Sequence, residues 1–342
     1  MRHPRFDQRL AVIAAICLTA LPPACSRSTN TVRDELVVYC SIDDVFGRSV
    51  LDAYQSRTGR NLSVVFDSEA GKTTGLVNKI IREADSGRSR ADVFWSSELF
   101  NTIRLGRRGL LEPYESPSAA DIPKRFKDAQ HRWTALAARA RVLAFDPQHI
   151  GDVPQTWQQL ADPEFAKQLS FANPLFGTTR GHVAAMFALW GEKRGRAFLV
   201  GLRDGGVRIA DGNSSAVRDV IAGRTRLAAT DTDDVWVAQQ AGESVELSYP
   251  DMGDGGTLLI PCSVAIIKGT AHLDEARRLV DYLVSAEVER MLAQSDSRNI
   301  PVRESLRKEL GIAWPAASKV EYEKVADAMD EAGAAVREIL LR

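Results

Sequence analysis

From residue 36 onward the chain alternates short apolar runs with longer segments in which apolar residues recur every three or four positions. The short runs, at 36–39, 62–66, 92–95, 142–145, 227–230 and 257–267, carry β-branched or aromatic residues between polar, Gly or Pro positions, which predicts strands. The longer segments predict helices. In the first, Phe46, Val50, Leu51 and Tyr54 share one face, and Gly59 ends it because glycine best tolerates the left-handed turn after a helix. A second follows Thr178 and Thr179, with Val183, Met186, Phe187 and Trp190 on one stripe before Gly191. A third opens at Asn213 and Ser214 and closes at Gly223, with Val217, Val220 and Ile221 inward. Strands and helices in this order build βαβ units, so the fold class is α/β. No fixed-period repeat interrupts the pattern, and the run 257–267, broken by Pro261, is long enough to pass from one lobe into another.

Ahead of this pattern, Arg2, Arg5 and Arg9 precede an apolar run from Leu10 to Leu21 that stops at Pro22 and Pro23. The run is shorter than the ~20 residues a membrane span requires, so 1–24 is expected to be an export signal. A cysteine at 25, followed by polar residues, resembles a bacterial lipobox. Cys25 is therefore the expected lipidation site, with 25–35 a tether that holds the domain at the membrane through lipid alone. Cys17 leaves with the signal, so Cys40 and Cys262 are the cysteines of the folded part, which excludes a disulfide scaffold and predicts two small buried side chains.

The 342 residues are 44% apolar and 26% charged, a globular composition with room for two α/β lobes. Lys and Arg (44) nearly cancel Asp and Glu (45), so no global field favours nucleic acid or an anionic membrane. A charged ligand must be met by local clusters.

Three clusters carry chemistry. Ser96, Ser97 and Glu98 follow a strand, where open α/β sheets place ligands, although the same residues suit the cap of a helix from Leu99. Gly177, Thr178, Thr179 and Arg180 precede a helix, and Asn213 and Ser214 open the next, so free N–H groups and hydroxyls could cradle an oxyanion; each alone also suits a routine cap. Asp231, Asp233 and Asp234 crowd three carboxylates into four positions after a strand. Such crowding raises each pKa unless a cation balances it, which points to a positive ligand or a solvated loop.

The order Asp231-Thr232-Asp233-Asp234-Val235 also matches phosphatases that form an aspartyl-phosphate, with Asp231 as nucleophile, but lies far from the first strand where that signature sits. Gly71-Lys72-Thr73 has Phe66 where a P-loop needs glycine. His3, His131, His149, His182 and His272 lack zinc spacing, and no Gly-x-Ser-x-Gly elbow occurs.

Taken in order, Val38-Tyr39-Cys40-Ser41-Ile42-Asp43, Ala91-Asp92-Val93-Phe94-Trp95, Gly109-Leu110-Leu111-Glu112-Pro113-Tyr114, Ala138-Arg139-Ala140-Arg141-Val142 and Gly212-Asn213-Ser214 resemble the ferric-iron-binding proteins of bacterial ABC importers. A later helix over 274–292 and Ile300-Pro301-Val302-Arg303 continue the match. The resemblance implies a two-lobed, type II periplasmic-binding-protein fold with two crossing hinge strands near 139–145 and 256–267. Lobe 1 would take 36–138 plus 261–308, and lobe 2 139–260 plus 309–342. It implies a monomeric receptor that is not an enzyme, at the periplasmic or outer face of the membrane, with a permease and an ATPase as partners and no nucleic acid.

The family's metal ligands correspond here to Asp43, to Ser97 with Glu98 beside it, and to Asp233 and Asp234, the last two replacing a tyrosine pair. Its anion side corresponds to Gly177, Thr178, Thr179 and Asn213, with Ser214 beside it and Arg139 or Arg141 as the arginine. Two ligands fit this pattern. One is a ferric or other metal ion with a bridging anion, bound as cargo with no cofactor besides. The other is an organic phosphonate or phosphate, including a zwitterion such as 2-aminoethylphosphonate, whose ammonium would meet Asp231, Asp233, Glu69 or Glu98.

Overall fold

Two long antiparallel strands join the halves of one mixed sheet. The computed structural model describes residues 35–67 and 73–342; the expected export signal, Cys25 and Glu69 lie outside the described residues. The strands are β1 (Leu36–Cys40), β2 (Leu62–Phe66), β3 (Val93–Ser96), β4 (Leu111–Glu112), β5 (Thr134–Phe145), β6 (Leu169–Ala172), β7 (Arg208–Ala210), β8 (Leu227–Asp231), β9 (Glu246–Ser248) and β10 (Leu259–Ile267). The first helices are α1 (Asp44–Thr58), α2 (Thr74–Asp85), α3 (Phe100–Arg107), α4 (Pro163–Ala166), α5 (Gly177–Trp190) and α6 (Glu192–Asp204). They are followed by α7 (Asn213–Ile221), α8 (Thr232–Gln240), α9 (Leu273–Leu283), α10 (Ala286–Gln294), α11 (Glu304–Leu310) and α12 (Tyr322–Ile339).

The strand order is β2-β1-β3-β10-β5-β8-β6-β7. β1 pairs parallel with β2 and β3, and β6 pairs parallel with β7 and β8, so each half is a small parallel sheet. β10 runs antiparallel to β3 and β5, and β5 antiparallel to β8, which makes β5 and β10 the crossing pair. Their register shifts between Pro261 and Cys262, because proline has no N–H for the ladder and is tolerated at a bulge. Ala138, opposite Pro261, exchanges hydrogen bonds with Ile300 instead, at 2.7 and 2.8 Å.

The apolar cores divide with the sheet. One collects Val38, Trp95, Leu136, Val264 and Leu283 under the β1 half; others collect Leu143, Trp157, Phe171, Met186 and Val336, and Val142, Val217 and Val220, on the β6 half. α12 serves both, with Ala326 in the first core and Met329 in the second. Phe100 is the reverse case, placed by chain order beside the first core yet packed in the second.

The structure adds four short strands that the apolar pattern did not predict, β4, β6, β7 and β9, and changes two expected elements. β5 starts at Thr134 rather than 142, since its Ala- and Arg-rich first half has little intrinsic strand signal and is held by pairing with β10. The helix expected over 274–292 is two helices, α9 and α10, divided at Ser285, whose hydroxyl accepts the N–H of Val288 as an N-cap.

Candidate functional site

Both parallel half-sheets reverse strand order at their first strand: β1 lies between β2 and β3, and β6 between β7 and β8. Ligands of α/β sheets bind outside the carboxyl ends of strands at such switch points. Here those ends deliver Ser41 and Asp43 after β1, Ser97 after β3, Asn173 after β6, Asp211 and Asn213 after β7, and Asp231 to Asp234 at the end of β8.

Two small adjoining cavities result. The first is lined by Ser97, Arg139, Asn173, Gly177, Thr178, Thr179, Asp211, Asn213 and Asp234, and has a volume of about 30 Å³. The second is lined by Asp43, Ser97, Arg139, Asp233, Cys262 and Asn299. Ser97 and Arg139 belong to both and form the wall between them.

The anion side is built by backbone. Phe176, the N-cap of α5, has no side chain able to cap, and Gly177 follows at φ 51, in the left-handed region that favours glycine. The first N–H groups of α5 carry the partial positive charge of a helix start toward the first cavity. α7 begins at Asn213 beside it, also without a side-chain cap. The side chains are knit together: Thr179 Oγ1 donates to Asn213 Oδ1 at 3.1 Å, and Asn213 Nδ2 donates to Thr178 Oγ1 at 2.9 Å.

Charge enters through two arginines and three aspartates. Arg139 Nη1 contacts Asp233 at 3.0 Å and Asp231 at 3.5 Å, while its Nη2 donates to the Ser97 carbonyl at 2.6 Å. Arg141, fully buried, donates to Asp231 Oδ1 at 2.8 Å and through Nε to His182 Nδ1 at 3.2 Å. Burial would push the Asp231 carboxyl up, but Arg141 and Arg139, with the Thr178 hydroxyl, outweigh it and hold the group below its ordinary range. Burial and the Arg141 charge push His182 well below its ordinary value, so it is a neutral imidazole, set edge-on to Trp157. Asp231, Asp233 and Asp234 have carboxylate oxygens within 4.8 Å of one another, the one acidic cluster of metal-binding spacing among the described residues.

The expected residues are therefore distributed unevenly. Arg139, Gly177, Thr178, Thr179, Asn213 and Asp234 line the first cavity and Asp43 and Asp233 the second. Arg141 and Asp231 stand in the network around them, and Ser214 lies within α7 but does not line either cavity. Glu98 is a correction: its carboxylate accepts the N–H groups of Phe100 at 2.7 Å and Asn101 at 3.2 Å, so it caps α3 and leaves the cavity wall to Ser97. Burial pushes its pKa up. Asp231 as a nucleophile is also corrected, because both its oxygens are held by protein donors.

Asn173, Asp211, Ser297 and Asn299 also line the cavities, and sequence reasoning passed over them. Asn173 carried a usable signal, a polar residue directly after an apolar strand; Asn299 sits in a loop and carried none. Cys40 and Cys262 are free and buried, and burial pushes the Cys262 thiol up to about 12. Among the described residues no helix is long and apolar enough to cross a membrane.

Known proteins resemble this chain in sequence and in fold. The chain is 29% identical over 295 residues to the major ferric iron-binding protein of Neisseria meningitidis serogroup A, covering 83% of each. It is 22% identical over 317 residues to the Fe(3+)-binding periplasmic protein of Serratia marcescens, covering 87% of this chain and 90% of that one. Iron-bound HitA from Pseudomonas aeruginosa superposes with a TM-score of 0.75 at 25% identity, over 90% of this chain and 100% of that one. The ferric binding protein of Campylobacter jejuni has the same two-lobed fold, with a TM-score of 0.79 at 20% identity over 90% of this chain and 99% of that one. Residues 91–321 match the bacterial extracellular solute-binding protein family, so the chain belongs to that family of ligand-binding receptors, which are not enzymes.

Proposed function

We propose that this protein is the receptor of an ABC importer and closes its two lobes on a ferric or other metal ion bound with a bridging anion. The observation that carries the reading is a first cavity lined by both the uncapped start of α5 and Asp234, with Asp233 and Asp43 in the adjoining cavity beyond the Ser97 and Arg139 wall. Oriented N–H groups suit the anion and carboxylates suit a hard cation. The relatives named for ferric iron support the same cargo. Among the described residues neither cavity is lined by tyrosine or histidine, so Asp43, Asp233 and Asp234 would hold the metal together with oxygens of the anion.

A second reading is favoured by Arg139. Its guanidinium already pairs Asp233, so a metal must compete with a resident cation, whereas a zwitterion such as 2-aminoethylphosphonate could share the pair. In either case the lobes would divide as 36–138 plus 261–308 and 139–260 plus 309–342. The receptor would work in the periplasm or, lipidated at Cys25, on the outer face of the membrane, with a permease and an ATPase as partners.

A visible absorption titration with ferric ion and phosphate tests the metal reading. Stoichiometric uptake without a tyrosinate charge-transfer band supports it; a strong visible band places a tyrosine on the metal, and no uptake with tight binding of the phosphonate selects the second reading.

A further inference from the structure

Asp231 spends both carboxylate oxygens inside the protein. Oδ1 accepts from Arg141 Nη1 at 2.8 Å. Oδ2 accepts from Thr178 Oγ1 at 2.6 Å and Asn213 Nδ2 at 2.9 Å, with Arg139 Nη1 at 3.5 Å. Of the roughly four acceptor sites of a carboxylate, three are taken by protein hydrogen bonds, and Arg139 adds an ion-pair contact. All four donors belong to residues around the anion side of the cleft, so a carboxylate and an incoming oxyanion compete for one set of groups. Asp231 and Arg141 are both fully buried, and Arg139 nearly so, so water screens these ion pairs little.

The cradle thus already contains an anion supplied by the chain. Asp211 and Asp234 line the same cavity and add negative charge. The guanidiniums nevertheless keep donors in reserve: Arg139 Nε and Arg141 Nη2 are buried and find no acceptor. A lone anion would meet occupied donors and like charge. An anion that arrives with a cation brings its own compensation to Asp233 and Asp234 and can use what Arg139 has left.

We infer that Asp231 is an internal counter-ion that sets the specificity of the cleft: it keeps a lone anion out and admits one only in company with a positive charge. The inference rests on the proposed pairing of cation and anion in this site, and it assigns Asp231 to selection rather than to ligand contact.

Sulfate is a suitable probe, because it keeps its double charge at neutral pH and carries no cation. Sulfate binding to the metal-free full chain would be measured by calorimetry and by the rise in melting temperature, for the wild type and for Asp231→Asn. The variant is expected to bind sulfate at least about tenfold more tightly than the wild type, since the freed guanidiniums seek a new anion. A merely structural role moves affinity the other way, so equal or weaker binding by Asp231→Asn overturns the inference. Where the variant is poorly folded, sulfate should restore it by taking the carboxylate's place; a variant that stays unfolded in sulfate also overturns it. Loss of metal uptake by the wild type would count against the proposed cargo alone, because the sulfate comparison uses no metal.

Discussion

Gly181 of α5 lies against the ring of Phe100 of α3, so closely that a β-carbon on Gly181 would overlap the ring. The contact joins a helix of the β1 half to the core of the other, and ion pairs flank it: Arg104 with Asp330 at 2.6 Å and Arg180 with Asp330 at 3.4 Å. These pairs are partly exposed and weak singly, so shape carries the contact. Gly181→Ala should cost about 1–3 kcal/mol by overpacking. Thermal melts of the single variants and of Gly181→Ala with Phe100→Leu check this: the smaller side chain should recover part of the loss, and additive losses would mean the two residues do not meet.

His182 makes stability depend on acid. Its folded pKa lies well below the ordinary ~6.5, so below that pH the unfolded chain binds a proton that the folded protein refuses. Its contribution is fully present above about pH 6.5 and is lost as pH falls, by up to ~1.4 kcal/mol per unit, until the folded pKa is reached. Denaturant melts of the wild type and His182→Gln from neutral pH down to about pH 5 should therefore converge, the variant losing less. Parallel curves would assign the acid sensitivity to other groups.

Glu98 and Asp233 should differ in their effect on binding. Glu98→Ala removes the cap of α3 and should lower stability by about 1–2 kcal/mol while ligand affinity stays within about twofold, because its carboxylate faces its own helix. Asp233→Asn should instead weaken the native ligand by about 2 kcal/mol, roughly thirtyfold, and also lower the melting temperature because it breaks the buried pair with Arg139. Calorimetry and melts on the same two proteins decide it; a binding defect in Glu98→Ala would return that carboxylate to the site.

On the anion side, Gly177 is the position that cannot carry a side chain without strain, at φ 51. Gly177→Ala should cost about 1–2 kcal/mol and, by shifting the first turn of α5, reduce affinity for the native ligand by about tenfold. Unchanged affinity would show that the start of α5 does not touch the ligand.

Much of the frame was legible because its signals are local. β1 and β2 announce themselves as short apolar runs, and α1 by one apolar stripe closed at Gly59. The first half of β5 did not, since Ala135 to Arg141 is strand only through its partners. The polar residues after strand ends were visible, but which of two neighbours turns inward was not: Ser97 and Glu98 differ by one position, and only the path into α3 decides that Glu98 caps and Ser97 lines the wall. Asp231 was seen as charge available to a ligand, whereas Arg141, distant in sequence and opposite it in the β5–β8 register, spends that charge inside the fold.

Native mass spectrometry of the freshly purified protein tests the central claim most directly, because it weighs whatever the cleft retains. A mass excess equal to one metal ion plus one small anion, lost in Asp233→Asn and kept in Glu98→Ala, is the expected result. An excess equal to an organic molecule without metal, or an excess that survives Asp233→Asn unchanged, would contradict it.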